Sequence, residues 1–206
     1  MIIEFYGLPG SGKSYVIGQL RGNLHTKEGP MNSFKRFCLS CIKKIVIWTP
    51  ESILLRWKIN RLFKNQQDNP VFINREKHEY IDNLVMLAFV YRWAGRRIIY
   101  MDEGIVHRVV AFAVNYNLSI GQMESILETL EKYIERAHVF FLDVEIEECL
   151  HSIKSRNRHQ AEMDEFNDET LKDFLQSYMK YFRAINSRHD FIHITRNHLE
   201  PIKKMI

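Results

Sequence analysis

The sequence has few cysteines, and their spacing does not suit a disulfide-rich or zinc-binding protein. It contains three, Cys38, Cys41 and Cys149, and an odd number cannot form a complete set of disulfides. Cys38 and Cys41 form a Cys-x-x-Cys pair, but a zinc site needs a second pair or nearby histidines, which this sequence does not provide. We therefore interpret the cysteines as free thiols, with a metal or redox role for the Cys38–Cys41 pair as the alternative.

Long apolar segments are also missing. The longest apolar run extends from Leu84 to Tyr91, whereas a helix that crosses a bilayer needs about 20 apolar residues. No signal peptide is recognisable, because the chain starts with a predicted core strand. The sequence therefore favours a cytoplasmic location.

Repeats and low-complexity tracts are absent as well. The 206 residues are 46% apolar and 26% charged, which is typical of a soluble globular protein. This length suits one hydrophobic core, so we expect a single domain over residues 1–206.

The most informative motif lies at the start of the chain. An apolar run, Ile2 to Tyr6, leads into Gly7-Leu8-Pro9-Gly10-Ser11-Gly12-Lys13-Ser14, which matches the phosphate-binding P-loop pattern G-x-x-x-x-G-K-[ST]. Glycines let the backbone turn successive N–H groups toward one anion, and the following helix directs its positive dipole end at the same phosphates. The predicted nucleotide-binding residues are Gly7, Gly10, Ser11, Gly12, Lys13 and Ser14.

These residue types predict binding of ATP with Mg²⁺. Lys13 is expected to be a solvent-facing contact to the phosphates, and Ser14 a ligand of Mg²⁺. A glycine-rich turn without a ligand would leave both residues unexplained. A Rossmann motif would need glycine or alanine in place of Tyr15.

A second motif follows a predicted strand. Residues 97–102 form a largely apolar run that ends in Asp102, followed by Glu103, and ligands of open α/β sheets lie at the carboxyl ends of strands. We assign Asp102 to Mg²⁺, and Glu103 to the base that orients or deprotonates the attacking group. The alternative is that the two acids only end the strand and begin the next helix.

The pattern of apolar residues predicts the fold class. Strands are expected at residues 2–6, 97–102, 139–143 and 191–194, separated by helices at 13–24, 74–94, 105–116, 120–136, 145–157 and 168–186. Asn74 and Ser119 are candidate N-caps, and Gly95 a C-terminal glycine. This alternation predicts a three-layer, doubly wound α/β protein with a parallel sheet and the P-loop NTPase fold. A mostly helical insertion separates the P-loop helix from the acidic strand, and a fifth strand within 31–73 stays open.

Three stretches resemble a known family: the P-loop, residues 102–108 and, above all, residues 141–158. They are similar to nucleoside and nucleotide kinases of the thymidylate kinase and deoxynucleoside kinase type. The resemblance implies a lid at 152–166, in which Arg156 and Arg158 close over the transferred phosphoryl group; the alternative is a solvated basic helix end. It also implies that Arg196 lies near the adenine and that residues 31–73 contribute to the acceptor site.

Two positions depart from the family pattern. Members usually carry an arginine where this chain has Ser152, and another, directly after the strand-end acid, where it has Glu103. The second arginine normally helps to hold the acceptor. Arg108, one helical turn further along, is a candidate replacement, with a surface or helix-capping role as the alternative. These departures leave the acceptor open.

The charge distribution is uneven. Residues 31–64 contain one acid, Glu51, and eight basic residues: Lys35, Arg36, Lys43, Lys44, Arg56, Lys58, Arg61 and Lys64. Such a segment can line the entrance for an anionic acceptor or contact an anionic membrane surface. A solvated face is the alternative. No nucleic-acid partner is expected, and homodimerisation stays open.

Together these features favour a phosphotransferase that moves a phosphoryl group from MgATP to a small, anionic acceptor such as a nucleoside, nucleotide or sugar. The alternatives are a hydrolytic ATPase and a nucleotide-dependent switch that docks a partner or membrane through the basic segment. The two lid arginines favour transfer, because closing over the phosphates excludes water.

Overall fold

A computed structural model describes residues 1–21, 46, 48–63, 69–95, 98–156, 161–196 and 198–203. Its four strands are β1 (Ile2–Tyr6), β2 (Ile99–Met101), β3 (Ala137–Leu142) and β4 (Ile192–Ile194). They form one parallel sheet in the order β2-β1-β3-β4. The predicted doubly wound parallel sheet is therefore confirmed. The described residues of 31–73 contain no strand.

Helices connect the strands, as parallel neighbours require. They are α1 (Lys13–Leu20), α2 (Pro50–Arg61), α3 (Lys77–Trp93), α4 (Ile105–Asn115), α5 (Ile120–Ile134), α6 (Ile146–Ser155), a 3₁₀ helix (Glu162–Glu165), α7 (Asp168–Asn186) and α8 (Glu200–Lys203). The described part of the insertion before β2 contains the helices α2 and α3, joined in part by the non-helical residues 69–76. Helix α7 has the predicted bounds.

Some helix ends lie where the local sequence predicts them, and others do not. Gly95 follows α3 with a φ of 60°, and Ser119 caps α5 by accepting from the Gln122 N–H; both agree with the prediction. Asn74 does not cap α3, which begins at Lys77 after Glu76. The Asn74 N–H instead donates to the Glu162 carboxylate at 2.7 Å. Helix α1 ends at Leu20 rather than residue 24.

The core lies on both sides of β1 and around α4. Every residue of β1 is buried, and so are ten of the eleven residues of α4, as expected for a central strand and a helix packed on most of its circumference. The Phe112 ring of α4 lies 4.7 Å from Phe63 and 5.2 Å from Tyr80, centre to centre. In the part of the chain that the structure describes, no helix is long and apolar enough to cross a membrane. Cys149 is a buried free thiol, whereas Cys38 and Cys41 lie outside the described residues.

Candidate functional site

The P-loop connects β1 to α1 and packs tightly against two other elements. Gly10 and Gly12 have φ values of 82° and 90°, a region that residues with a Cβ rarely adopt. A Cβ on Gly10 would also lie 2.8 Å from the Cys149 carbonyl oxygen, and one on Gly12 would lie 3.0 Å from Arg196 Nε. The loop therefore needs glycine at position 10 for conformation and for space, and at position 12 for conformation.

Lys13 lies at the start of α1 and turns back onto the loop. Its ammonium donates to the carbonyl oxygens of Gly7 and Leu8, both at 2.9 Å. The expectation that Lys13 faces solvent was wrong, because the residue is only 9% exposed. Burial lowers its pKa to about 8, an effect that the nearby carboxylates of Glu103 and Asp102 partly oppose.

Ser14 and Asp102 meet at the carboxyl edge of the sheet. Glu4 pairs with Met101 in the register of β1 and β2, so the loop after β1 and the acid after β2 begin side by side. The Ser14 hydroxyl donates to Asp102 Oδ2 at 3.0 Å. One hydroxyl and one carboxylate form the hard oxygen set that Mg²⁺ accepts, with waters and substrate phosphates as its other ligands. Among the residues described, no group of three or more His, Cys, Asp or Glu side chains is arranged to hold a metal ion.

Glu103 forms an ion pair one helical turn along the chain. Its carboxylate accepts a hydrogen bond from Arg108 Nη2 on α4, and both side chains line the same cavity as Lys13. The arginine that the family pattern carries at position 103 is thus absent, but Arg108 brings a guanidinium to this part of the cavity. Glu103 and Arg108 are held together.

Residues of the segment that was predicted to form a lid, 152–166, also line the cavity. Arg156 follows α6 and donates to the Ser152 hydroxyl at 3.4 Å, and it lines the cavity. Arg158 lies outside the described residues. Beyond that gap, Glu162 at the start of the 3₁₀ helix contacts Asn74 and also borders the cavity.

Arg196 contacts the P-loop itself. Its Nε donates to the Ser11 carbonyl at 2.6 Å and its Nη2 to the Gly10 carbonyl at 3.2 Å. The Glu148 carboxylate lies 3.8 Å from the same guanidinium. Arg196, which was predicted to lie near an adenine, therefore holds the P-loop through two carbonyl groups, a contact that the spacing along the sequence could not indicate.

The cavity has a volume of about 890 Å³ and extends from the P-loop to an aromatic chamber. The chamber is lined by Tyr80, His107, Ala111, Phe174 and Tyr178. This volume lies toward the upper end of the range of about 300–1,000 Å³ for pockets that bind drug-sized ligands.

His107 is a chamber residue that the sequence analysis did not single out. It is 5% exposed, and its Nδ1 has no hydrogen-bond partner among the described residues. Burial lowers its pKa well below the usual value, with Lys13 and Arg108 acting in the same direction. The imidazole is therefore neutral at physiological pH.

Glu4 is a second residue that was missed. Its carboxylate is completely buried in β1 and accepts hydrogen bonds from the Tyr91 hydroxyl at 2.6 Å and the His107 N–H at 3.1 Å. Burial raises the pKa of Glu4 to about 7. Gly104 fits here because a Cβ would lie 2.3 Å from both Glu4 Cδ and the Tyr91 hydroxyl. In the sequence, the only indication of the contact of Glu4 with Tyr91 and His107 is an acid within the otherwise apolar residues 2–6.

The parallel sheet, the P-loop and the acid on the neighbouring strand define a P-loop NTPase fold. The chain is similar to the structure of deoxyadenosine kinase from M. mycoides with bound dATP, at 15% identity and a TM-score of 0.51, over 100% of this chain and 98% of that one. Structures of the same kinase with dCTP, and with the products dCMP and dCDP, have TM-scores of 0.49 and 0.47 at 15% and 16% identity; they cover 100% of this chain and 98% and 97% of theirs. Sequence comparison finds no matching protein family and no matching curated protein. The predicted similarity to nucleoside kinases is confirmed for the fold.

Proposed function

We propose that the protein is an ATP- and Mg²⁺-dependent kinase that phosphorylates a small acceptor such as a nucleoside, nucleotide or sugar. The observation that carries the proposal is the continuity between the P-loop and the aromatic chamber within one cavity. A donor on the loop and an acceptor in the chamber would share that cavity. The kinase-like fold agrees with this arrangement.

The donor end would be formed by the loop and the β2 acid. The P-loop amides and the Lys13 ammonium would bind the phosphates, and Ser14 and Asp102 would hold Mg²⁺. The metal, when bound, neutralises charge on the phosphate oxygens. Arg196 would keep the Gly10 and Ser11 carbonyls turned away from the phosphates.

The transfer step needs a proton acceptor and positive charge around the phosphoryl group. Glu103 lies at the cavity wall, where its carboxylate would accept the proton of an acceptor hydroxyl. Because the transition state of phosphoryl transfer is loose, the main task of the base is to orient the acceptor hydroxyl. Arg156 and Arg158 would spread the developing charge and exclude water.

The chamber supports a planar acceptor. Rings of Tyr80, Phe174 and Tyr178 form apolar walls, and the neutral His107 has an unpartnered nitrogen. Such a combination fits a nucleobase, which offers flat faces and polar edges. Arg108 would serve the anionic part of a nucleotide. Because the similar structure is a deoxyadenosine kinase, deoxynucleosides are the first acceptors to test.

Hydrolysis is not favoured over transfer, because neither the chamber nor the lid arginine is needed to activate water. We further propose that the protein acts in the cytoplasm and leave the homodimer as a hypothesis for sedimentation measurements.

The decisive experiment measures ADP release with ATP and Mg²⁺, first alone and then with deoxynucleosides, nucleotides and sugars. We expect release to rise at least about tenfold with the correct acceptor, which then appears as the phosphorylated product. Asp102→Asn should abolish the reaction, whereas Asp143→Asn, a matched change at the exposed end of β3, should leave it intact. ADP release that no acceptor accelerates would refute the kinase assignment.

A further inference from the structure

Helix α2 is apolar on two opposite faces. One face, Ser52, Leu55 and Ile59, is buried against the body of the protein. At 100° per residue, the other apolar positions point away from it. They are Ile53, Leu54 and Trp57, with exposed fractions of 48%, 52% and 56%. A surface helix normally has a polar outer face, and a helix that is apolar on both sides is normally covered on both.

The exposed surface extends beyond the helix. Trp48, just before α2, is 73% exposed, and the exposed Lys58 and Arg61 accompany the apolar side chains. The Arg61 guanidinium lies 5.5 Å from the centre of the Trp57 ring. We call this surface the outer face of α2; it consists of Trp48, Ile53, Leu54, Trp57, Lys58 and Arg61.

The two acids near α2, Glu51 and Asp82, are both paired with cations of neighbouring helices. The Glu51 carboxylate accepts from Arg92, Lys132 and the Tyr133 hydroxyl, and Asp82 pairs with Arg56 at 2.6 Å. These contacts join α2 to α3 and α5, on the protein side.

Lys58 and Arg61, in contrast, form no ion pair with a carboxylate among the described residues. The surrounding sequence adds to this charge, because Glu51 is the single acid of residues 31–64. The outer face is thus apolar and cationic at once.

We propose that the outer face of α2 binds an anionic lipid bilayer, with the helix lying at the level of the headgroups. Tryptophan is enriched at that level, short aliphatic side chains insert into the boundary of the acyl chains, and lysine and arginine are attracted by anionic lipids. A helix of 12 residues lies on a bilayer but cannot span it.

Charge argues against a second copy of this chain as the occupant. A two-fold dimer would bring the same surface of both copies together, so that both copies would contribute Lys58 and Arg61 to one interface without a facing acid from this surface. Two cationic faces repel, whereas an anionic surface neutralises them. The inference does not depend on the kinase activity, since none of these residues lines the cavity.

Sedimentation of the full chain with vesicles tests the proposal. Vesicles of phosphatidylcholine alone are compared with vesicles that contain phosphatidylserine in a roughly 7:3 ratio, at about 0.05 M and about 0.5 M salt. We expect binding to the anionic vesicles at low salt, with loss at high salt. No binding to anionic vesicles would overturn the proposal.

Two variants and a matched control locate the surface. Lys58→Gln with Arg61→Gln should weaken binding about fivefold for each charge, and Ile53→Ser with Leu54→Ser should weaken it at least about tenfold. Lys172→Gln with Lys180→Gln removes the same charge from exposed positions of α7 and should have little effect. If the control weakens binding as much as the first variant, the proposal is wrong.

Tryptophan fluorescence and sedimentation equilibrium separate the lipid from a protein partner. Emission should shift to the blue with anionic vesicles in Trp93→Phe, which keeps Trp48 and Trp57, but not in Trp48→Phe with Trp57→Phe. A dimer that Ile53→Ser with Leu54→Ser dissociates, without vesicle binding by the wild type, would assign the surface to a second copy and overturn the proposal.

Discussion

Replacing Glu4 by Gln removes a buried titratable group while preserving the size of the side chain. In the wild type the carboxylate accepts from the Tyr91 hydroxyl and the His107 N–H. The Gln carbonyl can still accept from the His107 N–H. Its NH₂ group then faces the Tyr91 hydroxyl, which must rotate to accept a hydrogen bond instead of donating one. We expect about 1–2 kcal/mol of destabilisation from the imperfect hydrogen bonds. The larger effect concerns the pH dependence of stability.

The sign of that dependence follows from the raised pKa. The pKa of Glu4 is about 7 in the folded protein against 4.5 for the ordinary carboxyl. Between these values the folded state holds a proton that the unfolded chain has lost, so the free energy of unfolding falls as pH rises. The stabilisation is fully present below pH 4.5 and is lost by pH 7. A shift of this size corresponds to about 3 kcal/mol.

Other groups near Glu4 do not produce the same slope. The pKa of His107 is lowered by burial, so its effect on stability runs in the opposite direction, falling as pH decreases. Tyr6 and Tyr91 stay neutral in this range because burial raises the pKa of each. The difference between wild type and Glu4→Gln therefore isolates the carboxyl.

Urea unfolding, followed by circular dichroism at steps between pH 4.5 and 7.5, measures this difference. Relative to Glu4→Gln, the wild type should lose about 3 kcal/mol of stability from the lower to the higher pH, so that the variant becomes the more stable protein at the higher pH. The exposed Glu131→Gln serves as a control and should keep the wild-type profile. A difference between wild type and Glu4→Gln that does not change with pH would refute the reasoning.

Four further predictions concern the site. ATP affinity of the wild type, measured by calorimetry, should fall by up to about tenfold per pH unit above pH 8, because the Lys13 ammonium then loses its charge; Lys13→Met should bind weakly without this dependence. Glu103→Gln should lower the rate of phosphoryl transfer about a hundredfold with ATP binding retained, and an unchanged rate would exclude the residue as the base. Arg196→Gln should raise the KM for ATP about tenfold more than it lowers kcat, and Arg196→Lys should restore part of the loss; equal effects on both would contradict a positioning role. Gly104→Ala should destabilise by about 3 kcal/mol in urea unfolding, because its Cβ would overlap Glu4 and Tyr91.

Local sequence was sufficient where one stretch of chain determines the structure. Apolar periodicity located the four strands and placed α7 at residues 168–186. In the structure Asn167 caps this helix by accepting from the Thr170 N–H. The P-loop spacing also brought Ser14 and Asp102 together, since each follows a strand of the same parallel sheet. These features depend on neighbours in sequence or on one strand pairing.

Contacts between distant segments could not be predicted in the same way. The Arg196 guanidinium reaches carbonyl oxygens 185 and 186 residues earlier in the chain, and the Asn74 N–H donates to Glu162, 88 residues further along. Neither spacing belongs to a helix or a hairpin. The buried hydrogen bond between Tyr91 and Glu4 also joins residues that are 87 positions apart. In the sequence, its only sign is an acid within a predicted strand.

The floor and the rim of the cavity differ in how readily their sequences can change, and the contact between Asn74 and Glu162 belongs to the rim. The floor, with Lys13, Ser14 and Asp102, is built on two adjacent strands whose register fixes it. The rim is made of two short connecting segments, 71–76 and 161–166, that touch each other through this hydrogen bond. Because loops tolerate exchange far better than central strands, the two segments can be transplanted together between proteins of this fold. Such a graft would replace the rim of the cavity while its floor stays intact.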